Sequence, residues 1–586
     1  MSRPFWPLVE HHRALLARER GGVRKDPGGR LRVAILYPNT YQVGLANLGL
    51  AVLYRIANAR PDALAERAFL PDRLSQPLYA KTGAPLLTLE SSRPVAEFDL
   101  VLATLSFEND APNLAAMLEL AGLGMRAATR RGPLVVAGGM VPMLNPEPLA
   151  ELVDACLLGE AEAALPPFLE ALTEVHGLPR QEALTRLASV VPGFYAPSLY
   201  EPSYGPEGLL AGLTPMGGAP ERIAVPRLLI SDLGSDLEQA VGLARSVFHA
   251  PGPEFGDMTL LEVGRGCGHA CRFCAAGHMM RPPRLGVGAD FLEPALETAR
   301  QGGKVGLVSA AVSDLPGVEE LAESVVAAGG RVSVSSLRAD CLTPGLARAL
   351  AASRHQTVAL APEAGSARLR RVINKHLDED DLSRALETLI RAGVPNLRLY
   401  FMLGLPTETD QDVEELIALV KGLRQQVVSA SRAKGRLGLV TVSLAAFVPK
   451  PFTPFQWEPM AGLKLIKERL ARVRKALSPL ANLKVSAETP KYAQLQAVIA
   501  RGDRRVWALV AALARGESLP GAYAVAGVDP EFYAQRARAR EEFLPWSMVD
   551  HAIDPDHLWG ERQRAFLAKE SPECAPATCR RCGVCG

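Results

Sequence analysis

Glu262-Val-Gly-Arg-Gly-Cys267-Gly-His-Ala-Cys271-Arg-Phe-Cys274 places three cysteines at C-x3-C-x2-C, directly after the apolar run Thr259 to Val263. Three thiolates hold three irons of a 4Fe-4S cubane and leave the fourth iron open, as catalytic metal sites keep a position free for a substrate or cofactor. Gly264, Gly266 and Gly268 let the backbone turn closely around such a cluster, where a β-carbon would crowd it. A structural zinc knot is the alternative, with His269 or His278 as fourth ligand.

Outward from this segment the pattern is strand and helix in alternation. Strands are expected at Thr259 to Val263, Val305 to Val308, Val332 to Ser335, Thr357 to Leu360, Leu397 to Phe401 and Leu439 to Ala446, with helices between them. Six such units make a partial (β/α)6 barrel of the TIM type over 257–477, whose functional groups gather at the strands' C-terminal ends. Ser309 and Ser313-Asp314, then Ser336 and Arg338, then Glu363 stand there. Upstream, 31–189 alternates strands (Arg32 to Tyr37, Leu100 to Thr104, Leu134 to Ala137, Ala155 to Leu158) with helical periods, the signature of a doubly wound Rossmann- or flavodoxin-like domain. Loops that follow its strands carry Asn39 and Gly44, Ser106, Gly138 and Gly139, and Gly159 and Glu160, where an open α/β sheet binds ligands. Residues 1–30 read as a helical extension and the Pro- and Gly-rich 190–256 as a linker. A small helical module with a Cys-rich tail is expected over 478–586.

A chain of 586 residues, 48% hydrophobic and 22% charged, has material for several globular cores. It shows no export signal and no apolar run long enough to span a membrane, so it is expected in the cytoplasm without membrane partners. Closely grouped thiols in such a chain read as metal ligands, since the cytosol keeps thiols reduced. Seven of the nine cysteines are grouped in this way; Cys156 and Cys341 read as packing residues. A net charge of +2 gives no field that argues for nucleic acid. Arg501, Arg504, Arg505, Arg536, Arg538 and Arg540 read as a solvated helical surface.

The triad, with Phe273 just before its last cysteine, resembles the radical S-adenosylmethionine superfamily. That resemblance implies that Cys267, Cys271 and Cys274 are the catalytic ligands of a 4Fe-4S cluster whose open iron binds S-adenosylmethionine. One-electron reduction, from a donor such as flavodoxin or ferredoxin, would then give a 5'-deoxyadenosyl radical. Phe273, Ser309, Ser336, Arg338 and Glu363 would contact the cofactor. Leu399-Tyr-Phe-Met-Leu-Gly404-Leu-Pro406-Thr-Glu408-Thr and Phe447-Val-Pro449-Lys-Pro451-Phe-Thr-Pro454-Phe-Gln456-Trp457 look like the barrel end of a subfamily that couples this domain to a cobalamin-binding one. Lys450, Gln456 and Trp457 line either a substrate entrance or a packed loop.

The N-terminal strings are similar to that cobalamin-binding half, although the Asp-x-His-x-x-Gly string of many cobalamin proteins is absent. Cobalamin is thus a candidate cofactor, and a domain without corrinoid stands beside it. Cys574, Cys579, Cys582 and Cys585 are expected to hold a second 4Fe-4S cluster, with a four-cysteine zinc site as the alternative. These readings lead to a radical enzyme, with cobalamin-dependent methylation of an unactivated carbon as its sharper form. The competing functions are radical modification of tRNA or rRNA, for which the arginines would hold phosphates, and an iron-sulfur or corrinoid redox sensor.

Overall fold

A computed structural model describes every residue except 1–4, 229–243, 254, 286–288, 336, 433–434, 436 and 586. The chain divides into two compact units. Residues 1–257, 498–530 and 541–552 form the first, and 258–497, 531–540 and 553–586 the second. The segment read as a separate C-terminal module is therefore shared between the two.

In the first unit, the parallel strands β1 (Leu31–Tyr37), β2 (Ala63–Phe69), β3 (Leu100–Thr104), β4 (Leu134–Gly138) and β5 (Ala155–Leu157) stand in the order β2-β1-β3-β4-β5. The antiparallel β6 (Phe194–Tyr195) closes the far edge. Such strands are buried on both faces and so read as continuous apolar runs. β3, Leu-Val-Leu-Ala-Thr, is buried at all five positions. β2 is a strand the sequence reading missed, because Glu66 and Arg67 lie inside it. Both are buried and both are satisfied: Glu66 accepts from Thr88 and Ser91, and Arg67 is paired with Glu19 and Glu90. The first half of the expected linker, over 194–224, is structured. It holds β6, the hairpin β7 (Tyr200–Tyr204) and β8 (Leu210–Pro215), and β9 (Ile223–Ala224), which pairs with Val549–Asp550.

In the second unit, β10 (Met258–Glu262) leads into the short antiparallel pair β11 (Gly264–Arg265) and β12 (Arg284–Leu285). β10 then pairs in parallel with β13 (Lys304–Val308), and β13 with β14 (Arg331–Val334). A second parallel sheet runs β15 (Thr357–Glu363), β16 (Asn396–Leu403), β17 (Val440–Ala446), β18 (Leu483–Ala487). A bridge between Leu337 and Leu360 joins the two sheets into one curved wall. Among the described residues the wall has seven strands rather than six; β18, read as part of a helical region, is its edge. The helix Glu379–Ala392 shows how its outer layer is specified. Asp378 and Asp381 form a capping box and Gly393 ends the helix at φ +106°. Between them Leu382, Ala385, Leu386, Leu389 and Ile390 bury one stripe at helical spacing. Among the described residues no helix is long and apolar enough to cross a membrane.

Candidate active site

The three-cysteine loop follows β10 at the C-terminal edge of the curved sheet. Gly266 takes φ +82°, and a β-carbon there would meet the Met280 carbonyl oxygen at 2.4 Å. The loop is tied inward by Arg272, whose amide donates to Ile373 O, while the Cys274 amide closes a turn onto Cys271 O. Cys271 is buried, and Cys267 and Cys274 are half-buried. All nine cysteines of the chain are free thiols. Burial pushes the Cys267 thiol up to about 12 and Cys274 to about 11, and each is raised further by its cysteine neighbours. Burial raises Cys271 too, against the positive charges of Lys375 and Arg338. Three crowded, desolvated thiols that oppose one another's ionisation suit a cationic cluster, since metal coordination deprotonates a thiol outright.

For the zinc-knot alternative, His269 has both ring nitrogens engaged, while His278 keeps Nδ1 without a hydrogen-bond partner. His269 stands between Asp314 at Nε2 and Glu573 at Nδ1, and His278 donates from Nε2 to the Cys271 carbonyl. Among the described residues no three His, Cys, Asp or Glu side chains converge as ligands of a single ion. A cubane is a larger body than one ion and takes its thiolates from farther apart.

Around the loop, Glu363 ends β15 at φ +67°, a backbone conformation that side chains other than glycine rarely adopt. Its carboxylate lies 3.6 Å from Lys375 Nζ, and burial raises its pKa against that partner. Lys375 was not singled out from the sequence; only its place beside Glu363 and Cys271 marks it. Arg338 faces Cys271 but is already engaged, with Asp340 at 2.8 Å and the carbonyls of Lys375 and His376 at 3.2 Å. A β-carbon on Gly264 would lie 2.9 Å from Ser309 Oγ, so the Ser309 side chain packs closely on this glycine. Phe273 packs on the core formed by Leu369, Ile373, Phe447 and Phe455. Ser336 lies outside the described residues. Gln456 accepts from the Phe452 amide, and Trp457 is buried edge-on against Trp559, so the Pro-rich segment is a packed loop at these positions.

In the first unit the strand order is that of flavodoxin-like sheets, whose ligands bind where β1 and β3 diverge. Asn39 and Ser106 follow those two strands. Asn39 donates to Asp110, and Asn47 donates to Ser106 Oγ at 3.2 Å while its Oδ1 caps the helix Leu48–Ala59. The glycines read as room for a cofactor are occupied by the chain itself. A β-carbon on Gly44 would strike Phe69 at 2.5 Å, one on Gly139 Leu105 O at 2.6 Å, and one on Gly159 Pro226 at 2.7 Å. Gly138 faces Leu157 O, and Glu160 is bonded to Pro226 O through its amide and to Leu228 N through its carboxylate.

The arginine group is only in part a solvated surface, at Arg505 and Arg540. Arg501 and Arg538 are buried, Arg504 pairs with Glu147, Arg505 with Asp503, and Arg540 with Asp556. Arg536 lies over the Phe532 ring. These guanidiniums are largely spent on the protein's own carboxylates and packing.

Two family models match the chain: radical SAM proteins, N-terminal, at residues 49–197, and the radical SAM superfamily at 261–420. An uncharacterized protein of Methanocaldococcus jannaschii, MJ0966, is 29% identical over 480 residues, covering 81% of this chain and 89% of that one. Among solved structures, the radical S-adenosylmethionine methyltransferase TsrM from Kitasatospora setae, with cobalamin and a [4Fe-4S] cluster bound, aligns at a TM-score of 0.50 and 13% identity. That alignment covers 83% of this chain and all of that one, and so shows a shared fold. The cysteine loop falls at the start of the superfamily match, which runs on past β16, and the protein is a radical SAM enzyme.

Proposed function

We propose that Cys267, Cys271 and Cys274 hold a 4Fe-4S cluster and that S-adenosylmethionine binds at its open iron, beside Lys375 and Glu363. When bound, the cluster supplies the electron that divides S-adenosylmethionine into methionine and a 5'-deoxyadenosyl radical. The observation that carries this reading is the loop itself: three crowded thiols, Cys271 buried and the other two half-buried, which with the nearby side chains make no single-ion site among the described residues. Lys375 and Arg338 bring positive charge to the thiolates. The Glu363 carboxylate, held at a strained strand end, offers an acceptor for an ammonium group.

The sharper reading is cobalamin-dependent methyl transfer. It is supported by the likeness over 83% of the chain to a methyltransferase whose structure holds cobalamin, and by the polar group Asn39, Asn47 and Ser106 at the β1/β3 divergence. That divergence is where a corrinoid would bind in a sheet of this order. The C-terminal cysteines suit a second 4Fe-4S cluster. Cys574 and Cys579 are in hydrogen-bond contact, and the charges of Cys579, Cys585 and Cys582 all act on Cys574. RNA as substrate loses its main support with the internal pairing of the arginines.

The test is anaerobic reconstitution followed by product analysis. Wild-type protein is expected to form 5'-deoxyadenosine under reducing conditions, and Cys271→Ala to lose that activity with about four irons. Reconstituted wild type that never cleaves S-adenosylmethionine would overturn the reading. Stoichiometric corrinoid in protein from cobalamin-fed cells would support methyl transfer, and its absence from folded protein with intact clusters would remove it.

A further inference from the structure

The C-terminal cysteine segment is docked on the three-cysteine loop. The Cys574 amide donates to the Gly268 carbonyl at 2.7 Å, one residue from Cys267. Gly268 has no side chain to obstruct this approach: a β-carbon there would lie 3.2 Å from Cys574 O. His269, next along the loop, holds Glu573 with one ring nitrogen and Asp314 with the other. Asn374 fastens both strands of the junction. It donates to the carbonyls of His269 and Ala270 and to Ser571 O, and its side-chain oxygen accepts from the Ser571 amide at 2.8 Å. Arg272, between Cys271 and Cys274, reaches Glu561, Lys569 O and Ser571 Oγ. Four residues of the loop are thus held by the tail directly or through Asn374.

We propose that the tail cysteines form the electron inlet of the three-cysteine site, through the Cys574–Gly268 hydrogen bond. This rests on the reading that both cysteine groups hold iron-sulfur clusters. The tail offers one face to solvent, with Arg580, Arg581 and Gly583 exposed and Cys579 and Cys585 half-buried, and sets Cys574 inward against the loop. With clusters held by both cysteine groups, a low-potential one-electron protein carrier would give up one electron at the tail, and the three-cysteine site would end reduced by one with the tail site back in its starting state. No atom or proton is transferred. Cys574 is buried and Gly268 half-buried, which limits water between the sites, where it would lengthen the contact and add reorganisation.

The experiment uses full-length reconstituted protein: wild type, Cys579→Ser/Cys582→Ser, and Cys267→Ala/Cys271→Ala/Cys274→Ala. Iron analysis reads the cluster assignment, with about eight irons in wild type and about four in each variant. Electron paramagnetic resonance of the fully reduced wild type at two microwave frequencies reads the docking. The expected spectrum is broadened by spin-spin interaction and is not the sum of the two variants' spectra. Rapid-mixing reduction of the three-cysteine site by a flavodoxin is expected to slow by an order of magnitude or more in the tail variant, with reduction by a small-molecule donor unchanged. Eight irons with a wild-type spectrum equal to the sum of the variants would overturn the inlet while leaving both clusters standing. A tail that binds zinc would overturn the cluster reading and the inlet with it. The two-frequency wild-type spectrum decides the coupling even where a variant does not fold.

Discussion

Replacing Arg272 by methionine tests how the tail is held. The guanidinium is fully buried and forms two 3.1 Å hydrogen bonds to Glu561 Oε2. It also donates to the carbonyls of Arg371, Val372 and Lys569 at 3.0, 2.9 and 2.7 Å. Methionine fills much of the volume but leaves Glu561, whose side chain is 10% exposed, with only the Ser571 hydroxyl as partner. Removing one member of a buried ion pair costs roughly 3–5 kcal/mol, and the three stranded carbonyls keep the figure from the low end. A protein of two units does not unfold in one step, so the loss is read locally. The amides of Cys574 and Ser571, bonded to Gly268 O and Asn374 Oδ1, report opening of the tail by hydrogen exchange. Their exchange is expected to accelerate by roughly two to four powers of ten. Arg272→Met/Glu561→Leu should recover more than half of that loss, because no unpaired charge then remains. Exchange within about threefold of wild type in the single variant would refute the reasoning, since it would mean that water already serves these groups.

Two further outcomes concern the first unit. Gly139→Ala places a β-carbon 2.6 Å from Leu105 O at φ +94°, so a loss of about 2 kcal/mol or more is expected, read as a lower thermal midpoint of that unit. Asp110 is raised to about 6 by burial, which outweighs the hydrogen bonds from Asn39 and Asn113. Its folded pKa lies above its unfolded one, so the folded state holds the extra proton between about pH 4 and 6, and stability should fall as pH rises through that window. Asp110→Asn keeps the acceptor without the charge and should flatten this dependence in urea titrations of the first unit.

The parts of the fold that were legible in the sequence are those whose physics is local. β3 and β4 declare themselves because a strand buried on both faces is an unbroken apolar run. β2 hides because its Glu66 and Arg67 are neutralised by partners on other segments, and a pairing over 48 positions such as Glu19 with Arg67 has no signature in the strand itself. β18 hides for the opposite reason. At the sheet's edge its exposed Lys484 and Ser486 alternate with inward residues, and five residues are too few to fix a period.

The same division runs through the site. C-x3-C-x2-C is readable because one short loop must supply all three ligands, whereas Lys375 and Asn374 join the loop from a distant turn and carry no motif of their own. Glycines mark where something approaches the backbone closely, without saying what. At Gly266 it is Met280 O, at Gly139 it is Leu105 O, and at Gly268 it is the tail, with His269 meeting Glu573 across 304 positions of sequence. Two cysteine groups that read as separate motifs are in consequence one structural assembly. A substitution in either should therefore be judged by its effect on both sites.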